Sequence, residues 1–397
     1  MNYVPFLKAR YKENNIEEKY KQVFSSSDTI HLDFRIHDHP AFIVPCAEVY
    51  KTMLAIHKIN TEVCLYRRNL PGVAVSQFAR RCLIDEIVLT NDIEGVSSTR
   101  REIGDVLDQA KGRKNLRFLG LVNKYQKLQE NETVPIKSCE DIRALYDELV
   151  LDEVLDENRK NAPDGKLFRK DSVSVENDAG KEIHRGIYPE SEIISAMESA
   201  LFFLNNDKIE PLIRIAGFHY LFGYIHPFYD GNGRTSRFIS SYLLSRELDP
   251  MIAYRLSYTI KEHINDYYSA FKTCNDNRNM GDITPFVITF LEILLEAMEQ
   301  LKNALQERDE QLKRYDKAIR EDSILGTEKN YSLSNLLLQA SLFSEDGIST
   351  KDLMTVLEIS RTTLKDRLED LGHEYVASCK EGRVVYYKLN VDALQNK

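Results

Sequence analysis

The sequence lacks several features that would place it in common classes of protein. Its six cysteines are scattered without C-x-x-C spacing, so neither a zinc knuckle nor a disulfide framework is indicated. No run approaches the roughly 18 apolar residues of a membrane span, and the N-terminus carries no apolar signal region. We therefore expect a soluble protein in a reducing, cytoplasmic setting, with no membrane partner.

An excess of basic residues is also missing. The 53 Lys and Arg side chains are outnumbered by 62 Asp and Glu, and the net charge of -9 argues against a chain built mainly to coat nucleic acid. No internal repeat or low-complexity tract is visible. With 397 residues, of which 43% are hydrophobic, the chain is long enough for two or three domains with real cores.

Helical periodicity dominates what is present. Apolar residues recur at three- and four-residue steps in segments such as "PLIRIAGFHYLFGYI" and "TPFVITFLEILLEAMEQL". One exception, "GKEIHRGIYP" from Gly180 to Pro189, predicts an extended segment that leaves a turn. The predicted fold class is mainly α, with a short hairpin among helices. We predict an N-terminal helical region over 1–130, a helical core over 131–300, a helical linker over 301–325 and a separate domain over 326–397.

The C-terminal region has its own pattern. A helix, two helices around a turn at Ile359–Ser360, and an alternating segment that turns at Glu381–Gly382 follow one another. This order resembles a winged-helix module with a helix-turn-helix. Because Thr327 to Leu389 holds eight Lys or Arg against ten Asp or Glu, protein contact is favoured over DNA binding. Basic side chains on the predicted wing, Lys380, Arg383 and Lys388, keep DNA binding open.

The segment "IHPFYDGNGRTSR", Ile225 to Arg237, concentrates chemistry-bearing residues between two predicted helices. Pro227 should end the first helix at His226, and the second helix should begin near Arg234. The glycines of the intervening G-N-G turn let backbone N–H groups converge. The helix start adds its positive dipole end, so the turn suits an anion such as phosphate.

Four side chains of this segment suit a nucleoside triphosphate. Arg234 and Arg237 share one face of the first helical turn and oppose the helix dipole, at a cost of roughly 0.3–1 kcal/mol each, which an anion between them would offset. Asp230 would repel phosphates unless Mg²⁺ lay between them. His226, with an ordinary pKa near ~6.5, can be neutral and deprotonate a hydroxyl. Each residue alone is more often structural, and their joint occurrence favours a site.

"HPFYDGNGRTSR" matches the H-P-F-x-[D/E]-G-N-G-R-x-x-R signature of Fic-domain proteins position by position, so the chain resembles that family. The resemblance implies a helical fold that transfers AMP from ATP to a Ser, Thr or Tyr hydroxyl of a target protein or of the enzyme itself, releasing pyrophosphate. It implies His226 as the base and Asp230 as the Mg²⁺ ligand. It implies as ATP-binding residues Asp230, Gly231, Asn232, Gly233, Arg234, Thr235, Ser236, Arg237, Tyr267 and Asn275.

Some of these positions carry a further implication or an open alternative. Gly233 favours nucleotidyl transfer, because a branch that phosphorylates its targets has lysine there. Ser236 replaces a glycine of many members, and we expect little consequence. Tyr267 and Asn275 suit a purine, although a tyrosine on a helix is more often a core residue.

"IHRGIYP" resembles the flap of the family, a hairpin that aligns a target segment by strand addition. The target hydroxyl would thereby meet the α-phosphate. Family members often form dimers, so a homodimer is a further expectation. The implied flap residues are Ile183, His184, Arg185, Gly186, Ile187, Tyr188 and Pro189.

"TNDIEG", Thr90 to Gly95, ends a predicted helix over about 76–95, where the dipole disfavours carboxylates. It matches the [S/T]-x-x-x-E-[G/N] inhibitory motif of Fic proteins, with Thr90, Glu94 and Gly95 in the defining places. The resemblance implies that Glu94 pairs with Arg237 and keeps the γ-phosphate out of its productive position.

Two functions of different class follow from the sequence. The first is an autoinhibited, Mg²⁺-dependent protein adenylyltransferase. The second is a regulator whose core senses nucleotide while the winged helix binds DNA; an intact His226 and Asp230 argue for the enzyme, since sensing needs no base. Within the enzyme class, another nucleotide or the removal of AMP, with Glu94 positioning a water, stays open.

Overall fold

The computed structural model describes residues 3–10, 15–109, 116–130, 132–176, 182–381 and 384–395. Helices dominate this part of the chain, as predicted, and its strands form two two-stranded sheets and one three-stranded sheet. None of the helices described is both long enough and apolar enough to span a bilayer.

The chain divides into two compact units, Met1–Asn60 with Ile84–Glu299, and Thr61–Leu83 with Gln300–Lys397. The segment predicted as a separate linker, 301–325, belongs for most of its length to one continuous helix, Thr284–Glu321. The four predicted regions stay a prediction.

An antiparallel hairpin interrupts the N-terminal region that we predict to be helical, and the helical prediction is wrong there. Strands Ile30–Ile36 and His39–Ile43 pair with Ile30 opposite Ile43. Leu32, Phe34 and Ile36 are buried while the residues between them are exposed. This period of two in "IHLDFRI" is a strand signal that the helical interpretation overlooked.

Two helices of the first unit carry the candidate site. The central helix, Pro211–Ile225, is buried on nearly every side, which suits its apolar sequence. It packs against the signature helix, Asn232–Glu247, and against Glu190–Leu204. The brake helix, Gly72–Ile93, belongs to the second unit up to Leu83 and to the first unit from Ile84. It begins earlier than the predicted 76 and ends before the predicted 95, so it contains Thr90 and is followed directly by Glu94 and Gly95. The remaining helices that begin in the first unit are Phe6–Ala9, Ile16–Phe24, Ala47–Asn69, Arg100–Gln109, Leu119–Gln129, Cys139–Tyr146, Asp152–Glu157, Leu256–Glu262, Ile264–Asn275 and Thr284–Glu321.

Short irregular turns and a second hairpin complete the first unit. A π-helical turn, Asp147–Leu151, joins two of the helices. Strands Ser174–Glu176 and Glu182–Arg185 form the predicted hairpin among helices. Residues 177–181, which hold the predicted turn and the start of the predicted flap at Gly180, lie outside the described residues. The 3₁₀ turns are Arg159–Asn161, Pro250–Tyr254 and Asn277–Asn279.

The C-terminal part of the second unit has its elements in the predicted order. The second of the two helices predicted around the turn at Ile359–Ser360 is Arg361–Leu371, because Ser360 caps its start and Gly372 ends it with φ 86°. Of the predicted turn at Glu381–Gly382, Glu381 ends the strand Val376–Glu381, and Gly382 lies outside the described residues, as does Arg383 of the predicted wing. The winged-helix assignment stays a prediction. The elements are helices Tyr331–Phe343, Thr350–Leu357 and Asp392–Gln395, with strands Ile348–Ser349, Val376–Glu381 and Val384–Leu389, the last lying between the other two.

Candidate active site

The two helices that flank the signature loop, residues 226–231, end and begin one or two residues from the predicted positions. The central helix ends at Ile225 rather than His226, because His226 adopts a left-handed backbone conformation with φ 52° and ψ 63°. The signature helix begins at Asn232 rather than near Arg234, because Gly231 serves as its N-cap with φ 77°. The G-N-G turn is thus shorter than predicted, and Asn232 and Gly233 already belong to the helix.

The loop between the helices is fixed by its own side chains. Asn232 Oδ1 accepts a hydrogen bond from the Phe228 N–H (2.9 Å), and Asn232 Nδ2 donates to the Phe228 carbonyl (2.8 Å). The Phe228 ring stacks on Tyr146 with a centroid separation of 3.6 Å and so anchors the loop by packing. A Cβ at Gly231 would lie 2.9 Å from Val150, so glycine is required for both conformation and space.

The start of the signature helix forms an anion cradle, which we define as the backbone amides of Asn232, Gly233 and Arg234. These amides precede the first intrahelical bond, from Thr235 N–H to the Gly231 carbonyl (3.1 Å). They point outward at the positive end of a 16-residue helix. The cradle therefore provides donors and a favourable field for an anion.

Arg234 lies beside the cradle and is fully buried. Its Nη1 donates to Glu153 Oε2 (3.1 Å), and its Nη2 lies 3.7 Å from Asp230 Oδ1. Burial raises the pKa of Glu153 to about 7, although the charge of Arg234 opposes that shift. Nη2 and Nε of Arg234 have no hydrogen-bond partner among the described residues, so the guanidinium retains unused donors.

Arg237, one turn further along, is bound by the brake helix. Its Nη2 donates to Glu94 Oε1 (2.9 Å) and to the Thr90 carbonyl (3.0 Å), and its Nε donates to Thr90 Oγ1 (2.8 Å). The Glu94 carboxylate raises the pKa of Arg237 above its ordinary value, against the lowering effect of burial. The structure thus brings together Thr90, Glu94 and Arg237, and Gly95 follows the helix with φ 73°.

The Glu94 carboxylate also lies over the first turn of the signature helix. A Cβ built on Gly233 would be 2.1 Å from Glu94 Oε1, so only glycine leaves room for this carboxylate. Glu94 therefore occupies space next to the anion cradle. Any ligand anion that approaches Arg237 over Gly233 must displace it.

A second carboxylate on the brake helix, Glu86, was not identified from the sequence. It is fully buried and accepts hydrogen bonds from the Ser257 backbone N–H (2.9 Å) and hydroxyl (2.6 Å). Burial raises its pKa to about 7. Glu86 and Thr90 share one face of the helix, and Glu94 follows its last residue at the same spacing of four, which could have indicated the packed face of the helix.

His226 lies at the start of the loop, whereas Arg237 lies beyond its other end, on the signature helix. Burial lowers the pKa of its imidazole to about 3, and the nearby His184 and Arg169 add to this effect. The ring is therefore neutral at physiological pH. His184, on the predicted flap, has its Nε2 2.7 Å from the Tyr224 carbonyl oxygen.

The comparisons with known proteins agree with this geometry. Residues 137–244 match the model of the Fic/DOC family. This part of the chain is a Fic domain. The match begins two residues before the helix Cys139–Tyr146 and ends within the signature helix, so it contains the loop, the predicted flap and the cradle.

Relatives of known name resemble the Fic domain over a limited length. The chain is 35% identical to the protein adenylyltransferase Fic of Culex quinquefasciatus over 124 residues, 31% of this chain and 22% of that protein. It is 26% identical to the protein adenylyltransferase fic-1 of Caenorhabditis elegans over 157 residues, 38% of this chain and 28% of that protein. The chain thus matches about a quarter of the length of these relatives.

One solved structure extends the similarity beyond the Fic domain. The structure of a Fic family protein from Desulfovibrio desulfuricans G20 aligns with a TM-score of 0.54 and 20% identity, covering 87% of this chain and 96% of that chain. At this identity the alignment shows that the two proteins share a fold.

The predicted flap of the Fic domain lies against the end of the central helix. The Ile187 N–H donates to the Ile225 carbonyl (3.1 Å), and the Gly186 N–H donates to the Val173 carbonyl (3.0 Å). Tyr188 is half exposed and is followed by Pro189. The flap residues Glu182 and His184 to Tyr188, together with His37, Glu192, Tyr224 and Asn275, line an open cleft of ≈ 530 Å³.

The two predicted nucleoside contacts of the Fic domain have different surroundings. Tyr267 is buried, and its hydroxyl lies 2.7 Å from His219 Nε2, inside a network that continues to Ser240. Asn275 lines the cleft and accepts a hydrogen bond from the Tyr220 hydroxyl (2.7 Å). Thus Tyr267 forms part of the core, whereas Asn275 faces the space where a ligand could bind.

The other side chains of the signature turn back onto the helix that carries them. Thr235 Oγ1 donates to the Gly231 carbonyl (2.8 Å), and Ser236 Oγ donates to the Gly233 carbonyl (3.1 Å). Asp230 is partly exposed, and no group of three metal-ligating side chains occurs among the described residues. A lone carboxylate fits Mg²⁺ only if phosphates and water supply the remaining ligands. Asp230 could contribute one carboxylate ligand to such an ion.

Proposed function

We propose that the protein is an autoinhibited adenylyltransferase that transfers AMP from ATP to a hydroxyl side chain of a protein. One observation carries the proposal. A neutral imidazole, that of His226, lies at one end of the loop, and a helix start flanked by the buried guanidiniums of Arg234 and Arg237 lies at the other end. The names of the matched relatives support the reaction class.

The proposed reaction begins at the hydroxyl. His226 takes the proton from this hydroxyl, and the oxygen attacks the α-phosphorus of ATP. A new oxygen–phosphorus bond forms, the bond from the α-phosphorus to the bridging oxygen breaks, and pyrophosphate leaves. His226 is then left protonated and releases its proton to solvent. The lowered pKa of His226 keeps the base unprotonated before each turnover.

The cradle and the two arginines would stabilise the polyphosphate. Backbone amides of Asn232, Gly233 and Arg234 face negative charge that accumulates on the leaving group, and Arg237 supplies a fixed cation. Asp230 would hold Mg²⁺ together with the phosphates, and the ion would neutralise part of their charge.

Glu94 is proposed to act as the brake on this reaction. Its carboxylate accepts a hydrogen bond from Arg237 Nη2 and lies over Gly233, so the outer phosphate of ATP and Glu94 compete for one position. Arg237 keeps its bonds to Thr90 when Glu94 leaves, and the exchange therefore replaces one anion by another. The site therefore has two definite states, one with Glu94 bound to Arg237 and one with the phosphate bound there.

The flap is proposed to receive the target segment. Strand Glu182–Arg185 pairs with Ser174–Glu176, and an extended target segment could be added to this hairpin as a further strand. A hydroxyl presented from that segment would enter the cleft beside His226.

Label transfer tests the proposal. The protein is incubated with Mg²⁺ and ATP that is labelled either on the α-phosphate or on the γ-phosphate, and label retained on protein is measured. We expect label from the α-phosphate alone, more of it with Glu94→Gly, and none with Glu94→Gly combined with His226→Ala. Retention of the γ-label, or equal labelling without His226, would refute the proposed reaction.

A further inference from the structure

Arg169 has surroundings that are unusual for a buried cation. It is 0% exposed, and each hydrogen bond that its guanidinium makes within the described part of the chain ends on a backbone carbonyl. Nε donates to His226 (2.9 Å), and Nη2 donates to Ile187 (2.8 Å) and Ile225 (3.4 Å). Nη1 donates to Asp171 (2.5 Å).

Two of these carbonyls belong to the end of the central helix. The last carbonyls of a helix have no intrahelical donor and carry the negative end of its dipole. The guanidinium therefore caps the helix at the residue that supplies the proposed base. The Arg169 backbone N–H adds a bond to the Pro227 carbonyl (3.2 Å), the residue after that base.

A third carbonyl belongs to the flap. Through Ile187, the same guanidinium that holds His226 also holds the segment proposed to align the target. Gly186 is the residue that permits this approach, because a Cβ there would lie 2.3 Å from Arg169 Nη2 and 3.0 Å from the His226 Cβ. The flap and the catalytic loop are thus linked by one side chain and one glycine.

The charge of Arg169 persists in this position. Burial lowers its pKa to about 10, which still leaves it protonated at neutral pH. This charge is also one of the influences, after burial and His184, that lower the pKa of His226. Its role in the site is therefore both geometric and electrostatic.

We propose that Arg169 is a positioning residue that holds the backbone of His226 and the flap in one fixed register, so that a hydroxyl presented by the flap meets the imidazole. This inference rests on the proposed function of the same site. The cradle lies at the other end of the loop, and Arg169 does not contact it. Loss of Arg169 should therefore impair transfer and leave ATP binding intact.

The test uses Arg169→Met and Arg169→Lys in the full-length Glu94→Gly protein, with Lys170→Met as matched control. Lys170 is the exposed neighbouring cation, so its replacement removes a charge without touching the loop. Auto-modification from α-labelled ATP is measured at saturating ATP. We expect Arg169→Met to lower the rate about 100-fold, as displacements near 1 Å do, and Arg169→Lys to restore little because it lacks the forked donors.

Two further readouts separate positioning from general stability. ATP affinity measured by calorimetry with Mg²⁺ should stay within about twofold of the Glu94→Gly parent. The titration of the His226 imidazole, followed by NMR, should shift to higher pH in Arg169→Met. If Arg169→Met fails to fold, Gly186→Ala provides the second variant, since it displaces the guanidinium without removing it and should reproduce the loss of transfer.

The outcomes assign failure to one proposal or the other. No α-label on the Glu94→Gly parent would refute the proposed function itself. Transfer by the parent together with undiminished transfer by Arg169→Met, or by Gly186→Ala if Arg169→Met does not fold, would overturn the positioning role. Parallel losses of ATP affinity and transfer would also overturn it, because they would indicate a structural role only.

Discussion

The two arginine sites on the signature helix look alike but have different partners. Arg234 and Arg237 lie one turn apart, with side chains 0% and 2% exposed. Glu153, the partner of Arg234, is 7% exposed, whereas Glu94, the partner of Arg237, is 23% exposed at the end of the brake helix. The first pair is closed to solvent, and the second can be reached by an incoming anion.

This difference indicates which pair is permanent and which is exchangeable. Removing one partner of a buried ion pair leaves an uncompensated charge, at a cost of roughly 3–5 kcal/mol. Arg237 keeps hydrogen-bond partners when Glu94 is lost, because Thr90 supplies two acceptors of its own. The Arg234–Glu153 pair is therefore permanent, whereas the Arg237–Glu94 pair can open, so that Arg237 serves regulation and substrate binding in turn.

Within this comparison of the two pairs, replacing Arg237 should have the largest effect on activity. In the Glu94→Gly background there is no brake left to release, so Arg237→Ala removes only the proposed phosphate contact. We expect auto-modification from α-labelled ATP to fall by about 10²–10³-fold, as for loss of one preorganised donor at developing charge. Arg246→Ala, on the exposed face of the same helix, is the control. Unchanged labelling in Arg237→Ala would remove the distinction between the two arginines.

Replacing each glutamate should separate the pairs by stability. Glu153→Ala should lower the free energy of unfolding by roughly 3–5 kcal/mol, since it isolates a buried guanidinium. Glu94→Ala, whose pair is partly exposed and whose arginine keeps Thr90, should cost about 1 kcal/mol or less. Urea unfolding of both variants at one pH measures the comparison. Equal costs would mean that both pairs are structural.

The loss of folding stability at acid pH that His219 causes, close to Arg237, should be a smaller effect. Burial, followed by the charge of Arg237, lowers the pKa of His219 to about 3, below its unfolded value. The folded state therefore binds fewer protons than the unfolded state below pH ~6.5, and stability is lost as the pH falls from there toward 3. We expect His219 to account for about 1 kcal/mol of the loss between pH 7.5 and 5.5.

Urea unfolding of wild type and His219→Gln at both pH values measures this share. The variant will be less stable overall because it loses contacts with Ser240 and Tyr267. Only the dependence on pH is informative. An identical acid-induced loss in both proteins would show that His219 does not remain neutral.

Residues close together in the chain were the ones that sequence reasoning could find. His226, Asp230 and the cradle belong to one loop, and the chemistry of that loop is legible from spacing alone. Glu94 was found because its motif is local, although its contact with Arg237 spans 143 positions. The helix ends beside the loop differ from the predicted positions, because the left-handed conformations of His226 and Gly231 depend on the packed loop.

Residues that act through contacts with residues far away in the sequence were not predicted. Glu153 reaches Arg234 across 81 positions, and Arg169 reaches His226 across 57. Neither stands in a pattern that distinguishes it from an ordinary charged side chain. Their roles arise only when tertiary packing buries the charge and dictates a partner.

The central claim is that Glu94 and the outer phosphate of ATP compete for Arg237. Calorimetric titration of ATP and ADP with Mg²⁺ tests it most directly, using His226→Ala and His226→Ala/Glu94→Gly proteins so that no turnover occurs. We predict that loss of Glu94 raises the affinity for ATP by about tenfold or more and that for ADP by less than about threefold. Equal gains for both nucleotides, or no gain for ATP, would contradict the claim.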